Sequence, residues 1–330
     1  MRVAILGAGA IGGCLAISLA EAGCDITLLA RGTHLDAIRK SGLRVIDAEG
    51  GETSRLMATV DDPANLGPQD LLISTLKAPA LPQVLKGVPE TVRQSVPLLT
   101  AMNGVFWWYG HGFQTNFQML DTSRLDPGGA LARLTDPAKA MGAVIYSTNE
   151  VIAPGVVRNR SATNRLVIGP SHPDQVDRVA EIFAPLSSAR FAFEVVADVR
   201  KRMWHKLLRN LSSAPISVLT AARVREINEY PETLGLARAL FLEGAEVAAA
   251  HGFSGLSHEV DSVLSAGTGA LQRPSMRQDL DLRRPMEVDS ILRIVQDFAR
   301  QAAVPVPVLD MIIPLVILRA RTAGCYPPSA

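Results

Sequence analysis

Gly7-Ala8-Gly9-Ala10-Ile11-Gly12 decides how the rest of the chain is read. Met1 to Leu6, just before it, is an apolar run with the length of a short buried strand, and Ile11 to Ala22, just after, reads as a helix. GxGxxG alone says little. Between a strand and a helix it is the turn of a dinucleotide-binding βαβ unit. Gly7 makes the tight turn, Gly9 has no Cβ to keep a pyrophosphate off the backbone, and Gly12 lets the helix lie close on the sheet. The helix N-terminus offers free N–H groups and a partial positive charge, so Ala8, Ala10 and Ile11 count with the glycines as cofactor-binding backbone. A glycine-rich turn in some other α/β protein is the plainer alternative.

The composition bounds the reading. At 330 residues two domains are expected, and 48% hydrophobic content fills two ordinary cores. A net charge of +1, with acids and bases mixed throughout, gives no reason to expect nucleic acid or a membrane surface as partner. Cys14, Cys24 and Cys325 are scattered, which suits a reducing cytoplasm and argues against a disulfide framework or a zinc site. None of the six histidines has metal-ligand spacing, so no metal is expected; His205 reads as solvated, His251 and His258 as helix-end and loop residues. The apolar N-terminus fits strand-turn-helix better than a signal peptide. Val308 to Leu318, interrupted by Asp310 and Pro314, is too short to span a bilayer. A soluble, cytoplasmic protein is expected.

In the first half, Asp25 to Ala30 reads as a second parallel strand. The residue at its end meets the adenosine ribose, roughly twenty residues past the glycines. An acid there would suit NAD; Arg31 suits the 2′-phosphate of NADP(H), unless it is simply a solvated loop arginine. Thr33 looks like an N-cap for His34 to Lys40. Leu43 to Ile46 and Glu52 to Leu56 read as a hairpin. Asp70 to Leu76 is a buried strand with Lys77 at its carboxyl end, the rim where open parallel sheets bind ligands; a solvated lysine opening the next helix is the alternative. Pro97 to Met102 ends in Asn103-Gly104 on the same rim, although Asn-Gly is often only turn chemistry. Val105-Phe106-Trp107-Trp108-Tyr109 follows, either an apolar wall beside the substrate or a structural plug. Met141 to Tyr146 is a further strand, Val151 to Arg158 and Arg165 to Ile168 read as antiparallel additions to the sheet, and Phe191 to Val196 closes it. The first domain is expected over 1–197.

From Asp198 the strand pattern gives way to helical periodicity, so an all-helical domain is expected over 198–330. In the helix at 198–213, Met203, Trp204, Leu207, Leu208 and Leu211 cover one apolar arc. Lys206 falls on its border and Asn210 just inside. The pair reads either as the edge of a buried site, where desolvation lowers the lysine pKa, or as a lysine snorkelling to water. Gly267, Thr268 and Gly269 break the chain. Ser275 with Gln278 fits a helix capping box. Pro285 opens another helix with Glu287 in its first turn, where the dipole favours a carboxylate.

GAGAIG at 7–12, STLKA at 74–78, MNG at 102–104, WHKLxxN at 204–210 and SMxQD at 275–279 together resemble the ketopantoate reductase (2-dehydropantoate 2-reductase) family. The resemblance implies an α/β chain: an N-terminal Rossmann-type dinucleotide-binding domain, then an all-helical C-terminal domain. It implies NADPH-dependent reduction of a 2-oxo acid to the 2-hydroxy acid, with ketopantoate giving pantoate in pantothenate synthesis. Lys206 would be the general acid and Asn210 would orient the substrate. Lys77 and Asn103 would approach the cofactor, and Asn103 and Ser275 the substrate. Glu287, twelve residues beyond Ser275 and followed by x-Asp, would bind the substrate hydroxyl beside the lysine and border the cofactor. The chain departs from the family pattern at Ala80, where glutamine is common, and at Ala214, where asparagine precedes the proline unless Ser213 replaces it. The WWY…DPGG segment resembles one branch only. Two alternatives stay open: reduction of another bulky or aromatic 2-oxo acid, or a non-catalytic NADP(H)-binding sensor. A homodimer is left open as the assembly.

Overall fold

The computed structural model describes residues 1–113, 120–186, 190–266 and 273–327. Gly267, Thr268 and Gly269 lie outside the described residues. The chain divides into two compact units. The first holds 1–102, 106–113 and most of 126–199; the second gathers Asn103–Val105, 120–125 and the chain from Arg200. The division thus falls at Val199/Arg200, and two short stretches from the first half of the sequence go with the helical unit.

Strands of the first unit, in chain order, are β1 (Arg2–Leu6), β2 (Asp25–Leu29), β3 (Leu43–Ile46), β4 (Glu52–Arg55), β5 (Ala58–Val60), β6 (Leu71–Ser74), β7 (Leu98–Ala101), β8 (Ala140–Tyr146), β9 (Asn149–Ala153), β10 (Val156–Asn159), β11 (Arg165–Pro170) and β12 (Ala192–Val195). β6 and β7 are short apolar runs buried along their whole length, and β1 is buried from Val3 onward, as in central strands of a parallel sheet. Among the described residues they build an eight-stranded sheet ordered β12-β11-β8-β7-β6-β1-β2-β5. Every pairing in it is parallel except β8 with β11. The order reverses at β1, which has β2 on one side and β6 on the other, so a crevice opens at the carboxyl ends of β1 and β6.

One expectation is corrected here. The segment at 151–158 does not extend the main sheet. It forms the β9–β10 hairpin of a second sheet ordered β4-β3-β10-β9, with β10 parallel to β3. The reason lies in α1 (Ala10–Glu21), whose residues from Gly12 to Leu19 are all buried. A helix apolar on every side must be covered on both. The main sheet takes one side, and Leu43, Val45 and Val157 of the small sheet take the other, so close that a Cβ on Gly13 would lie 2.8 Å from the Val157 Cγ2.

The first unit also carries α2 (Gly32–Ser41), α3 (Leu81–Gly87), α4 (Glu90–Arg93), α5 (Ala130–Leu134) and α6 (Val176–Phe183). α2 starts with Arg31, not Thr33, in the N-cap position. The aromatic run is a core plug: Phe106, Trp107, Trp108 and Tyr109 are buried, and Phe106 stacks on Trp108 at 5.0 Å. Gly142 on β8 makes room for the pair, since a Cβ there would sit 2.6 Å from the Phe106 ring.

The second unit is α7 (Arg200–Thr220), α8 (Val224–Glu229), α9 (Pro231–Ala250), α10 (Val260–Ala266), α11 (Ser275–Asp281), α12 (Ile294–Gln301) and α13 (Pro307–Thr322). The helix expected to stop near 213 runs on through Pro215. Proline removes the N–H that the Leu211 carbonyl would accept. Burial of Ile216 and Val218 outweighs that loss, as tertiary packing often does over propensity. α7 and α9 approach closely at Gly244, where a Cβ would meet Leu208 and Leu211 at 2.7 Å. Glu243 accepts from the N–H groups of Val308 and Leu309 and so caps α13. His251 ends α9 as expected, but it is buried, its ring 4.6 Å from Phe298 and 6.0 Å from Trp204. Burial pushes its pKa down to about 4. His205 is not simply solvated: its Nε2 lies 2.6 Å from Glu259 Oε2. All three cysteines are free, and no described helix is long and apolar enough to cross a membrane.

Candidate active site

The first unit supplies a phosphate cradle. Gly7 has φ +104°, a left-handed conformation that a side chain resists, and its N–H and that of Ala8 both donate to the Leu29 carbonyl. β6 braces the turn from the other side, with the Thr75 hydroxyl donating to the Gly7 carbonyl at 2.7 Å and the Thr75 N–H to Leu6. The glycines divide their tasks as the geometry requires. A Cβ on Gly12 would come within 1.9 Å of the Gly7 oxygen, so α1 can start here only with glycine. A Cβ on Gly9 would meet nothing within 4 Å, leaving open space over the N-terminal N–H groups of α1. A dinucleotide pyrophosphate fits that space and those donors.

Arg31 follows β2 with an extended backbone and an exposed side chain. Lys77 follows β6, also extended, at the head of the short 3-10 turn 78–80 that contains Ala80. Sequence reasoning missed His34. Its Nδ1 accepts the Gly155 N–H at 3.0 Å, so the ring proton sits on Nε2 and is donated to the Ala8 carbonyl at 2.7 Å. The imidazole thereby ties the glycine turn to the β9–β10 hairpin. No sequence signal marks a partnership spanning over a hundred residues.

The candidate acid–base groups lie in the second unit. Lys206 and Asn210 lie one turn apart on α7, both half-buried. Burial pushes the Lys206 pKa down to about 8; the Glu287 carboxylate opposes that fall, and Arg209 adds to it. The Asn210 Nδ2 is buried without a hydrogen-bond partner. An unpaired buried donor costs about 1–3 kcal/mol, a cost that a ligand oxygen would relieve.

Glu287 is 8% exposed and precedes the helix at Val288, instead of lying in its first turn as expected. Asp289–Arg293, which follows, is a turn of π-helix. Such turns often mark functional sites. Asn103-Gly104-Val105 docks on it: Gly104 has φ +84°, a Cβ there would lie 2.3 Å from the Ser290 oxygen, and the Val105 N–H donates to that oxygen at 2.8 Å. Asn103 is thus held at the turn that follows Glu287. Asp289 anchors the turn, accepting from the Tyr326 hydroxyl at 2.7 Å and facing Arg293 and Arg124, and Arg124 also binds Asp297. Ser290, whose Oγ is buried without a partner, was not anticipated from the sequence.

Ser275 is exposed as the first residue of α11, which packs on α7. The expected capping box does not form. Pro274, in an extended conformation, takes the N-cap position, and Gln278 Nε2 reaches the Arg273 carbonyl at 2.9 Å instead. Ala214 is buried in α7, and the neighbouring Ser213 hydroxyl already donates to the Arg209 carbonyl of its own helix.

Residues 3–116 match the family described as "Ketopantoate reductase PanE/ApbA", and residues 198–320 match "Ketopantoate reductase PanE/ApbA C terminal". The 2-dehydropantoate 2-reductase of Mesorhizobium japonicum is 35% identical over 327 residues, spanning 99% of this chain and 100% of that one. A structure from Ralstonia solanacearum MolK2 assigned as a ketopantoate reductase superposes with a TM-score of 0.88 at 31% identity, covering 98% of this chain and 99% of its own. The ternary structure of D-mandelate dehydrogenase with NADH and anilino(oxo)acetate reaches a TM-score of 0.81 with 98% and 99% coverage. At 18% identity that is a likeness of fold.

Proposed function

The chain belongs to the ketopantoate reductase family, and from that premise we propose that it reduces 2-dehydropantoate to pantoate with NADPH, in the cytoplasm, as a homodimer. Residues 1–197 hold the cofactor and residues 198–330 carry the acid–base chemistry. Backbone at Gly7, Ala8, Gly9, Ala10, Ile11 and Gly12 receives the pyrophosphate, Arg31 pairs with the 2′-phosphate, and Lys77 approaches the cofactor from the end of β6. The nicotinamide, when bound, supplies the hydride.

The chain's own groups then handle the oxygen. As the keto carbon gains a hydride, its π electrons move to oxygen, and the Lys206 ammonium stabilises that charge and gives up a proton to it. Water returns a proton to the amine. Glu287 opposes the burial that would strip Lys206 of its proton, orients the new hydroxyl and borders the cofactor. Asn210 donates an amide N–H to the substrate, Asn103 positions substrate and cofactor, and Ser275 contacts the substrate from the head of α11. The observation carrying this reading is a half-buried lysine on α7 whose pKa burial lowers to about 8 against the opposing Glu287 carboxylate, with an unpaired amide one turn away.

Ala214 favours a second reading, a bulkier or aromatic 2-oxo acid, because a small apolar side chain stands where the family commonly has asparagine. A panel of 2-oxo acids followed by loss of NADPH and of NADH separates the possibilities. Ketopantoate with NADPH is expected to give the highest kcat/KM, and Arg31→Ala to remove most of the preference for NADPH. Preference for an aromatic acid would favour the second reading. Inactivity toward every acid would leave a non-catalytic NADP(H) sensor.

A further inference from the structure

α13 is apolar on two sides. Leu309, Ile312, Ile313, Val316 and Ala320 are buried, while Met311, Leu315 and Leu318 are 67%, 54% and 61% exposed, with Pro314 exposed among them. At 100° per residue these last four fall within a sector of about 100°. Single exposed leucines are ordinary. A contiguous apolar stripe over two turns marks a contact surface.

The charges around the stripe select its occupant. Asp310 stands in the first turn, and Arg319 and Arg321 in the last. Asp310 and Arg321, eleven residues apart, project within about 20° of each other, on one flank of the stripe. In a two-fold contact the same patch meets itself. When two such helices lie antiparallel and face to face, the same flank of each faces the other. Asp310 of one copy then comes beside Arg321 of the next, twice, while Met311 meets Leu318 and Pro314 meets Leu315. A parallel pairing about a two-fold axis would carry the two charged flanks to opposite sides, leave both Asp310–Arg321 pairs unmade and align the two helix dipoles. Both charged groups have capacity to spare: Asp310 accepts from Gln296 through Oδ1, and Arg321 donates to Pro327 through Nε.

We propose that this face of α13 docks a second copy of the chain, the two helices packing antiparallel about a two-fold axis. The proposal rests on the homodimer reading above and names its surface. Sedimentation equilibrium of the full-length protein tests it. The unmutated chain is expected to be a dimer. Leu315→Arg should weaken the dimer at least tenfold while turnover persists, Asp310→Arg should weaken it too, and Asp310→Arg combined with Arg321→Asp should recover it. An unmutated chain that is monomeric at high concentration overturns both this proposal and the homodimer, leaving the stripe to a different protein. A dimer indifferent to Leu315→Arg overturns the surface and leaves the homodimer standing.

Discussion

A free lysine keeps its proton to about pH 10.4. Lys206 has its pKa pushed down to about 8 by burial, with the Glu287 carboxylate opposing the fall. The sign of a test follows directly. Removing the carboxylate's charge removes the influence that raises the Lys206 pKa, so Glu287→Gln should move the alkaline limb of the kcat/KM profile to lower pH. A limb that stays in place would detach Glu287 from the lysine. At this scale the sequence was informative where spacing along one helix carried the information, as for Lys206 and Asn210 on α7. It was silent where contacts run through space. His34 bonds Ala8 and Gly155, and Ser290 receives the docked 103–105 segment; no local pattern announces either.

Among the elements, α1 and α7 taught opposite lessons. α1 is legible as a helix, but its need for apolar cover on both sides is not, so the sequence alone points the β9–β10 hairpin to the main sheet when it belongs to the second. For α7, local propensity points to a stop before Pro215, while burial of Ile216 and Val218 carries the helix on to Thr220. The end of α9 carries a prediction of its own. His251 is 2% exposed, and burial lowers its pKa to about 4 from the 6.5 of a free imidazole. In the unfolded chain this ring takes a proton below pH 6.5, whereas in the folded chain it stays neutral until about pH 4. Stability therefore falls as pH drops through that window, by about 3 kcal/mol at its foot. Urea midpoints measured between pH 7 and pH 4 should fall less steeply for His251→Phe than for the unmutated protein. Equal slopes would mean that the imidazole reaches water in the folded state.

At the scale of the molecule, the glycine turn and the switch from strand to helical periodicity near Asp198 were enough to foresee a nucleotide-binding α/β unit followed by a helical one. The transfer of Asn103–Val105 and 120–125 to the helical unit was not foreseeable. It depends on a π-turn whose carbonyl accepts from a distant N–H, and no periodicity encodes that. The proposed reduction depends on one amine, that of Lys206 on α7. Single-turnover and steady-state rates of Lys206→Ala, measured beside its NADPH dissociation constant, test this most directly. The account predicts turnover lower by roughly 10²–10⁴ with cofactor affinity unchanged, whereas turnover near that of the unmutated enzyme would contradict it.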